Sequence, residues 1–179
     1  SEVFIGGSFA KGTVIKRDKY EVDLFLRFDK KYKDKISEIA EDILKKTNLD
    51  YKKLHGSRDY FQISLEKDIL VEVIPVVKIL KPREAENITD LSYFHVNYVK
   101  KELNKNKKII DEIKVAKTFT HAQNCYGAES YIKGFSGYAL ELLMIYYKSF
   151  EKFLYACIKT KEKIIIFNKK DFKNRQEIL

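Results

Sequence analysis

Three acidic side chains stand where strands are expected. Glu21 and Asp23 lie two residues apart in a stretch where Val22, Leu24, Leu26 and Phe28 alternate with Glu21, Asp23, Phe25 and Arg27. That is the period of a β-strand, so the two carboxylates share a face, with Cα atoms about 6–7 Å apart. Glu72 interrupts Ile69 to Val77, an otherwise apolar, β-branched run. A carboxylate there is costly unless it is paired or metal-bound. Three acids on one sheet face suit magnesium, which takes oxygen ligands and substrate phosphates. Two such ions would activate an attacking hydroxyl and stabilise leaving pyrophosphate. A plainer arrangement fits the same residues: Glu21 and Asp23 solvated on an edge strand, and Glu72 paired with a lysine.

A glycine turn adds to the first reading. Gly6-Gly7-Ser8 follows the apolar stretch Val3-Phe4-Ile5. Ser8 is expected to cap a helix. The backbone N–H groups and the Ser8 hydroxyl would then hold phosphates at that helix start. A glycine turn, an acid-x-acid strand and a third acid on a later strand form a pattern of nucleotidyl transfer.

These groups need a sheet to hold them. Residues 2–5, 20–28, 59–65 and 69–77 read as strands, the last central and ending at Pro75. Ile36, Ile39, Ala40, Ile43 and Leu44 give residues 34–46 an amphipathic helix. After Pro82 the texture changes. Residues 91–103, 107–124 and 136–158 carry helical periodicity, and residues 164–167 make one late strand candidate. The division is 1–82, 83–160 and 161–179, and the class is α+β.

Composition narrows the partners. The 179 residues are 45% hydrophobic and 34% charged, with a net charge of +9, which suits a globular protein with a polyanionic partner. Residues 100–117 hold seven lysines against three acids, and residues 159–175 six lysines and Arg175 against two acids. Both could clamp phosphates. Cys125 and Cys157 are too few for a disulfide framework and read as reduced core residues. The most apolar helix candidate, Tyr138 to Tyr147, is interrupted by Glu141 and is too short for a membrane span. No leader segment is evident after Ser1, and the expected compartment is the cytoplasm.

Several ordered segments together resemble the archaeal-type (class I) CCA-adding enzymes, tRNA nucleotidyltransferases of the polymerase-β-like superfamily. They are residues 7–13 (the nucleotide-binding turn), 21–26 (the metal-binding strand), 71–75 (the third carboxylate), 90–95, 126–129, 134–138 and 141–143. The resemblance implies a nucleotidyltransferase domain with a small mixed sheet, followed by a helical domain and the start of an RNA-binding part. It implies Glu21, Asp23 and Glu72 as catalytic ligands of two Mg2+ ions. It implies Gly7, Ser8, Lys11, His95, Lys117 and Tyr126 around the nucleotide, with Arg175 reading its base.

The implied activity is transfer of CMP and AMP from CTP and ATP to the 3′ end of tRNA. The alternatives are a transferase with another acceptor, forming poly(A) or oligoadenylate, and a non-catalytic RNA-binding protein on the same fold. The sequence departs from the family in three ways. Glu72 stands where Asp is usual, no helical lead-in precedes the glycine turn, and most of the tRNA-gripping C-terminal part is missing. Either the chain is a catalytic core, or a reduced enzyme that recovers RNA surface as a homodimer.

Overall fold

The computed structural model describes residues 2–16, 19–66 and 68–160. The late strand candidate at 164–167, Arg175 and the 161–179 segment lie outside the described residues.

Five strands form one mixed sheet: β1 (Glu2–Ile5), β2 (Tyr20–Phe28), β3 (Lys52–His55), β4 (Asp59–Glu66) and β5 (Ile69–Val77). Their order is β1-β2-β5-β4-β3. β2 and β5 run parallel, and the other neighbours are antiparallel. Six α-helices complete the described fold: α1 (Gly7–Lys11), α2 (Ile36–Lys45), α3 (Ser92–Lys105), α4 (Ile109–Ala122), α5 (Gly137–Tyr147) and α6 (Phe150–Lys159).

The sheet has two unlike faces because its side chains alternate. Leu26, Phe28, Phe61, Ile63, Val73 and Val77 form one apolar core with Ile36, Ala40 and Leu44 of α2. The opposite face carries Glu21, Asp23 and Glu72. A second core joins Val99 and Leu103 of α3, Ile113 and Ala116 of α4, Leu140 and Met144 of α5, and Phe150 and Phe153 of α6. Helix α3 reaches both, since Phe94 near its start packs on the first core.

The connection into α3 is tied down by Asp90, whose side chain is fully buried. Its Oδ1 accepts from Arg58 Nη1 at 2.7 Å and from the Val77 amide at 2.8 Å. Its Oδ2 accepts from the Asn87 amide at 3.1 Å. One carboxylate thus joins the end of β5, the β3–β4 turn and the loop before α3.

Several expectations are corrected here. β5 continues two residues past Pro75. The β4–β5 ladder ends at Phe61–Val73, so no β4 acceptor is left waiting for the N–H that proline lacks. The Pro75 carbonyl on that side accepts from Arg58 instead. β3 was not expected, and three of its four residues are exposed.

The helical stretch 136–158 is two helices. Lys148 takes φ 64°, and the Ser149 side chain accepts from the Lys152 amide to start α6. Glu112 of α4 accepts from the Phe150 amide at 2.7 Å and fixes the corner. Of the two cysteines, Cys125 is half-buried and Cys157 exposed. Cys157 shares the helix face of Phe150 and Phe153 by spacing, but it lies near the C-terminal end of α6, past the last buried residue.

Asp90→Ala would leave the Arg58 guanidinium and the Val77 amide without their acceptor. It should lower unfolding free energy by about 3 kcal/mol, read from urea denaturation. A loss under about 1 kcal/mol would mean that Asp90 does not hold this corner.

Candidate active site

The parallel register places Asp23 of β2 directly opposite Glu72 of β5. Opposed residues point to the same face, and so does Glu21, two positions before Asp23. β2 is not an edge strand of the sheet, although the β1 ladder ends at Leu24, just past the two acids. Burial, then the neighbouring charges of Glu72 and Glu21, push the Asp23 carboxyl up to about 6, while Lys11 pulls it down. Glu72 Oε1 accepts from Gln62 Nε2 at 2.7 Å. This partner is a neutral amide from β4.

The glycine turn sits against these acids. The Gly6 amide donates to the Asp23 carbonyl at 2.8 Å. Gly7 has φ +59°, and a Cβ there would lie 1.5 Å from Asp23 Oδ2. Only a bare Cα lets the turn and the carboxylate meet. Ser8 does not cap α1. Gly6 is the N-cap, with no side-chain hydrogen bond, and Ser8 falls within the first turn.

Beyond the turn, Thr13 is buried beside two lysines and an acid. Lys11 Nζ donates to Glu141 Oε2 at 2.6 Å, and Lys117 Nζ to Glu141 Oε1 at 2.8 Å. The Thr13 hydroxyl donates to Glu141 Oε1 at 2.6 Å. Burial lowers the Lys117 pKa, and Glu141 opposes that shift. Lys117 therefore leaves the surface cluster at 100–117, whereas Lys100, Lys101, Lys105, Lys107 and Lys108 are exposed.

His95 of α3 stacks on Tyr138 of α5 with ring centroids 4.1 Å apart. Burial, then Lys11, hold the imidazole pKa below its usual value. Tyr126 follows α4 and bridges to Phe135. A Cβ at Gly137 would lie 2.7 Å from the Tyr126 hydroxyl and 3.6 Å from Lys117 Cε. Gly137 thus lets both side chains approach α5. Gly134 has a similar packing role, since a Cβ there would lie 2.1 Å from the Cys125 carbonyl oxygen.

Two cavities meet at Glu21. One is polar and small, about 30 Å³, and reaches Ser8, Thr13, Lys117 and Tyr126. The other is a cleft of about 590 Å³ reaching Lys16, Leu70, Thr118 and His121. Ile15, Lys19 and Glu21 line both. The structure therefore gathers Glu21, Asp23, Glu72 and Gly7 into one group, and Ser8, Lys117 and Tyr126 around the small cavity. Lys11 and His95 flank Tyr138, with Lys11 Nζ 5.9 Å from its ring. Sequence reasoning gave no chemical role to Glu141, His121, Thr13 or Gln62. Glu141 had one visible signal, a lone acid inside an apolar helix.

The acidic face suits a divalent cation in donor type. Magnesium commonly takes one or two carboxylates and completes its shell with water and phosphate oxygens. Among the described residues, no three His, Cys, Asp or Glu side chains are grouped closely enough to hold an ion alone. Such a site would rely on substrate oxygens.

Comparison with known proteins shows what the chain is similar to. A family model described as "tRNA nucleotidyltransferase, second domain" matches residues 111–178. A CCA-adding enzyme of Nanoarchaeum equitans is 46% identical over 179 residues, which is 99% of this chain and 44% of that protein. The chain is a homologue of the CCA-adding enzymes. Another CCA-adding enzyme, from Saccharolobus shibatae, is 34% identical over 165 residues, 90% of this chain and 39% of its own length. The chain spans less than half the length of these CCA-adding relatives.

Solved structures agree on the fold. The Cid1 poly(U) polymerase, in a structure of its H336N mutant bound to MgATP, matches with TM-score 0.60 and 15% identity over 82% of this chain and 43% of its own. Terminal uridylyl transferase 4 from Trypanosoma brucei gives TM-score 0.57 and 11% identity, over 82% and 42%. The fold is α+β, a mixed five-stranded sheet followed by helices, and it is similar to that of these two transferases. Among the described residues no helix is long and apolar enough to cross a membrane.

Asp23 makes folding depend on pH. Its folded pKa, about 6, lies above the ordinary 3.8, so the folded state holds the proton more tightly than the unfolded one. In metal-free buffer its contribution favours folding below pH 4, weakens as pH rises from 4 to 6, and then levels off. The change is about 3 kcal/mol. Asp23→Asn should remove that part of the slope and raise the melting temperature at pH 7.5. An unchanged or lower melting temperature would show that the carboxylate is not under this strain. Gly7→Ala should displace the turn from Asp23 and lower nucleotidyl transfer at least 100-fold in a radiolabel assay, a ΔΔG‡ of about 3 kcal/mol. A variant within tenfold of the parent would show that the close contact is dispensable.

Proposed function

We propose that this chain is the nucleotidyltransferase core of a CCA-adding enzyme. It would transfer CMP and AMP from CTP and ATP to the 3′ end of tRNA, releasing pyrophosphate. The observation that carries the reading is the in-register pair Asp23–Glu72 beside Gly7, in a chain 46% identical to a CCA-adding enzyme. Residues 1–82 are the catalytic domain, 83–160 the helical domain, and 161–179 the start of an RNA-binding part. The compartment is the cytoplasm.

Glu21, Asp23 and Glu72 would hold magnesium. Bound there, the metal supplies charge neutralisation at the reacting phosphate and lowers the pKa of the attacking hydroxyl. The chain itself positions the reactants. The Gly7–Ser8 turn carries the triphosphate, with Lys11, Lys117 and Tyr126 close to it. His95 with Tyr138 bounds the nucleotide's other end, and the resemblance gives Arg175 the reading of its base. The cleft past Glu21 suits the acceptor strand, with Lys16, Lys19 and His121 near its phosphates. The 3′ hydroxyl gives its proton to solvent, its oxygen attacks the α-phosphorus, the bond to the bridging oxygen breaks, and pyrophosphate carries that electron pair away.

The exposed lysines of 100–108 add a surface for tRNA, whose binding should weaken steeply with salt. The CCA-adding relatives are more than twice as long, and further tRNA contacts would come from such added length or from a second copy of this chain.

Labelled CTP and ATP, magnesium and a tRNA lacking CCA test the reading. Ordered incorporation of C, C and A is expected, falling more than 1000-fold in Asp23→Ala. Addition of A alone would replace it with a different-acceptor transferase. Salt-sensitive tRNA binding without incorporation would point to a binding protein on the same fold.

A further inference from the structure

The roles given above leave one buried charge unused. Glu141 lies on α5, and its side chain has no exposure to water. Both of its oxygens are engaged. Oε2 takes Lys11 at 2.6 Å, and Oε1 takes Lys117 at 2.8 Å and Thr13 Oγ1 at 2.6 Å.

An ammonium has three N–H donors. Those of Lys117 match three acceptors: Glu141 Oε1, the Thr13 carbonyl at 3.2 Å and Thr13 Oγ1 at 3.2 Å. Thr13 gives its only hydroxyl hydrogen to Glu141, so its oxygen is the acceptor for Lys117. The Ser8 carbonyl, at 3.5 Å from the Thr13 hydroxyl, is a longer and weaker second acceptor for the same hydrogen.

Stability alone does not explain such a cluster. Buried ion pairs can often be exchanged for apolar residues of similar volume without loss. What an ionic cluster supplies is a defined position. Here the fixed atoms belong to three places: the end of α1, the middle of α4, and α5. Lys117 also borders the small cavity with Ser8 and Tyr126, and Gly137, one turn before Glu141, lets Lys117 and Tyr126 approach. The charged groups that act on Lys117 are Glu141 of α5, Lys11 of α1 and Asp23 of β2.

We propose that Glu141 is a positioning residue for nucleotide binding, which holds Lys11 and Lys117 at a fixed spacing beside the Gly7–Ser8 turn, so that Lys11 offers its remaining N–H donors to a triphosphate and the buried Lys117 adds its positive charge behind them. This rests on the nucleotidyltransferase reading. Without the carboxylate, Lys117 is a buried cation with no counter-charge. It either loses its proton or turns away, and Lys11 loses its anchor.

The test uses Glu141→Gln and the double variant Glu141→Gln/Lys117→Met. ATP binding is measured directly by calorimetry without metal, beside separate KM values for ATP and for tRNA well below the melting temperature. Glu141→Gln should weaken ATP binding and raise the ATP KM tenfold or more, with the tRNA KM changed less than twofold. The double variant removes the orphaned cation and should regain melting temperature but not ATP affinity. ATP affinity that returns with the melting temperature, or KM values for both substrates that rise together, would make Glu141 a structural residue only and overturn the proposal. So would unchanged ATP binding in Glu141→Gln. Wild-type protein that binds ATP but extends no tRNA would defeat the acceptor assignment while leaving this inference standing. Wild-type protein that binds no ATP would defeat both.

Discussion

A carboxylate shielded from water must find its counter-charges inside the protein. Glu141 finds two, from elements far apart in the chain: Lys11 is 130 positions away and Lys117 is 24 away. The penalty for leaving any of these charges alone in the interior is several kcal/mol, so the three elements that carry them meet in one arrangement. Apolar packing is more forgiving, because a core accepts many combinations of similar volume. The sheet and the helices each have such a core. The seam between them is instead set partly by ions.

The sheet applies the same division of labour. Its α2 side is apolar and settles stability. Its other side concentrates negative charge around Asp23, with the turn at Gly7 pressed against it. Such local conflict is tolerated where function requires it and the rest of the structure compensates. Gln62 illustrates the compensation, giving Glu72 a neutral donor at 2.7 Å.

Much of this was legible in the sequence. The alternation of Val22 to Phe28 identified β2 and put Glu21 and Asp23 on one face, and the run at Ile69 to Val77 identified the central strand. β3 was not legible because Lys52-Lys53-Leu54-His55 is a mostly polar, exposed edge with little pattern to read. The corner at Lys148 was hidden because both flanking helices are rich in large apolar residues, and the left-handed residue there is a lysine rather than a glycine. Lys117 was read as a triphosphate contact and also counted among the surface lysines. Its inward course depends on Glu141 and Thr13, which lie close only in the folded chain. Pairings at such separations leave no periodic trace in one sequence.

The parallel register of β2 and β5 has a consequence for how this protein folds. Side chains alternate, so a slip of one residue between these strands would turn Glu72 into the α2 core while Asp23 stayed outside, or the reverse. An unpaired carboxylate in that core would make the slipped form unstable. The acids therefore act as a check on alignment during folding, across a connection of 48 residues between Asp23 and Glu72. Closing so long a parallel connection is slow compared with forming the helices. The acidic face is complete only once these two strands are in register.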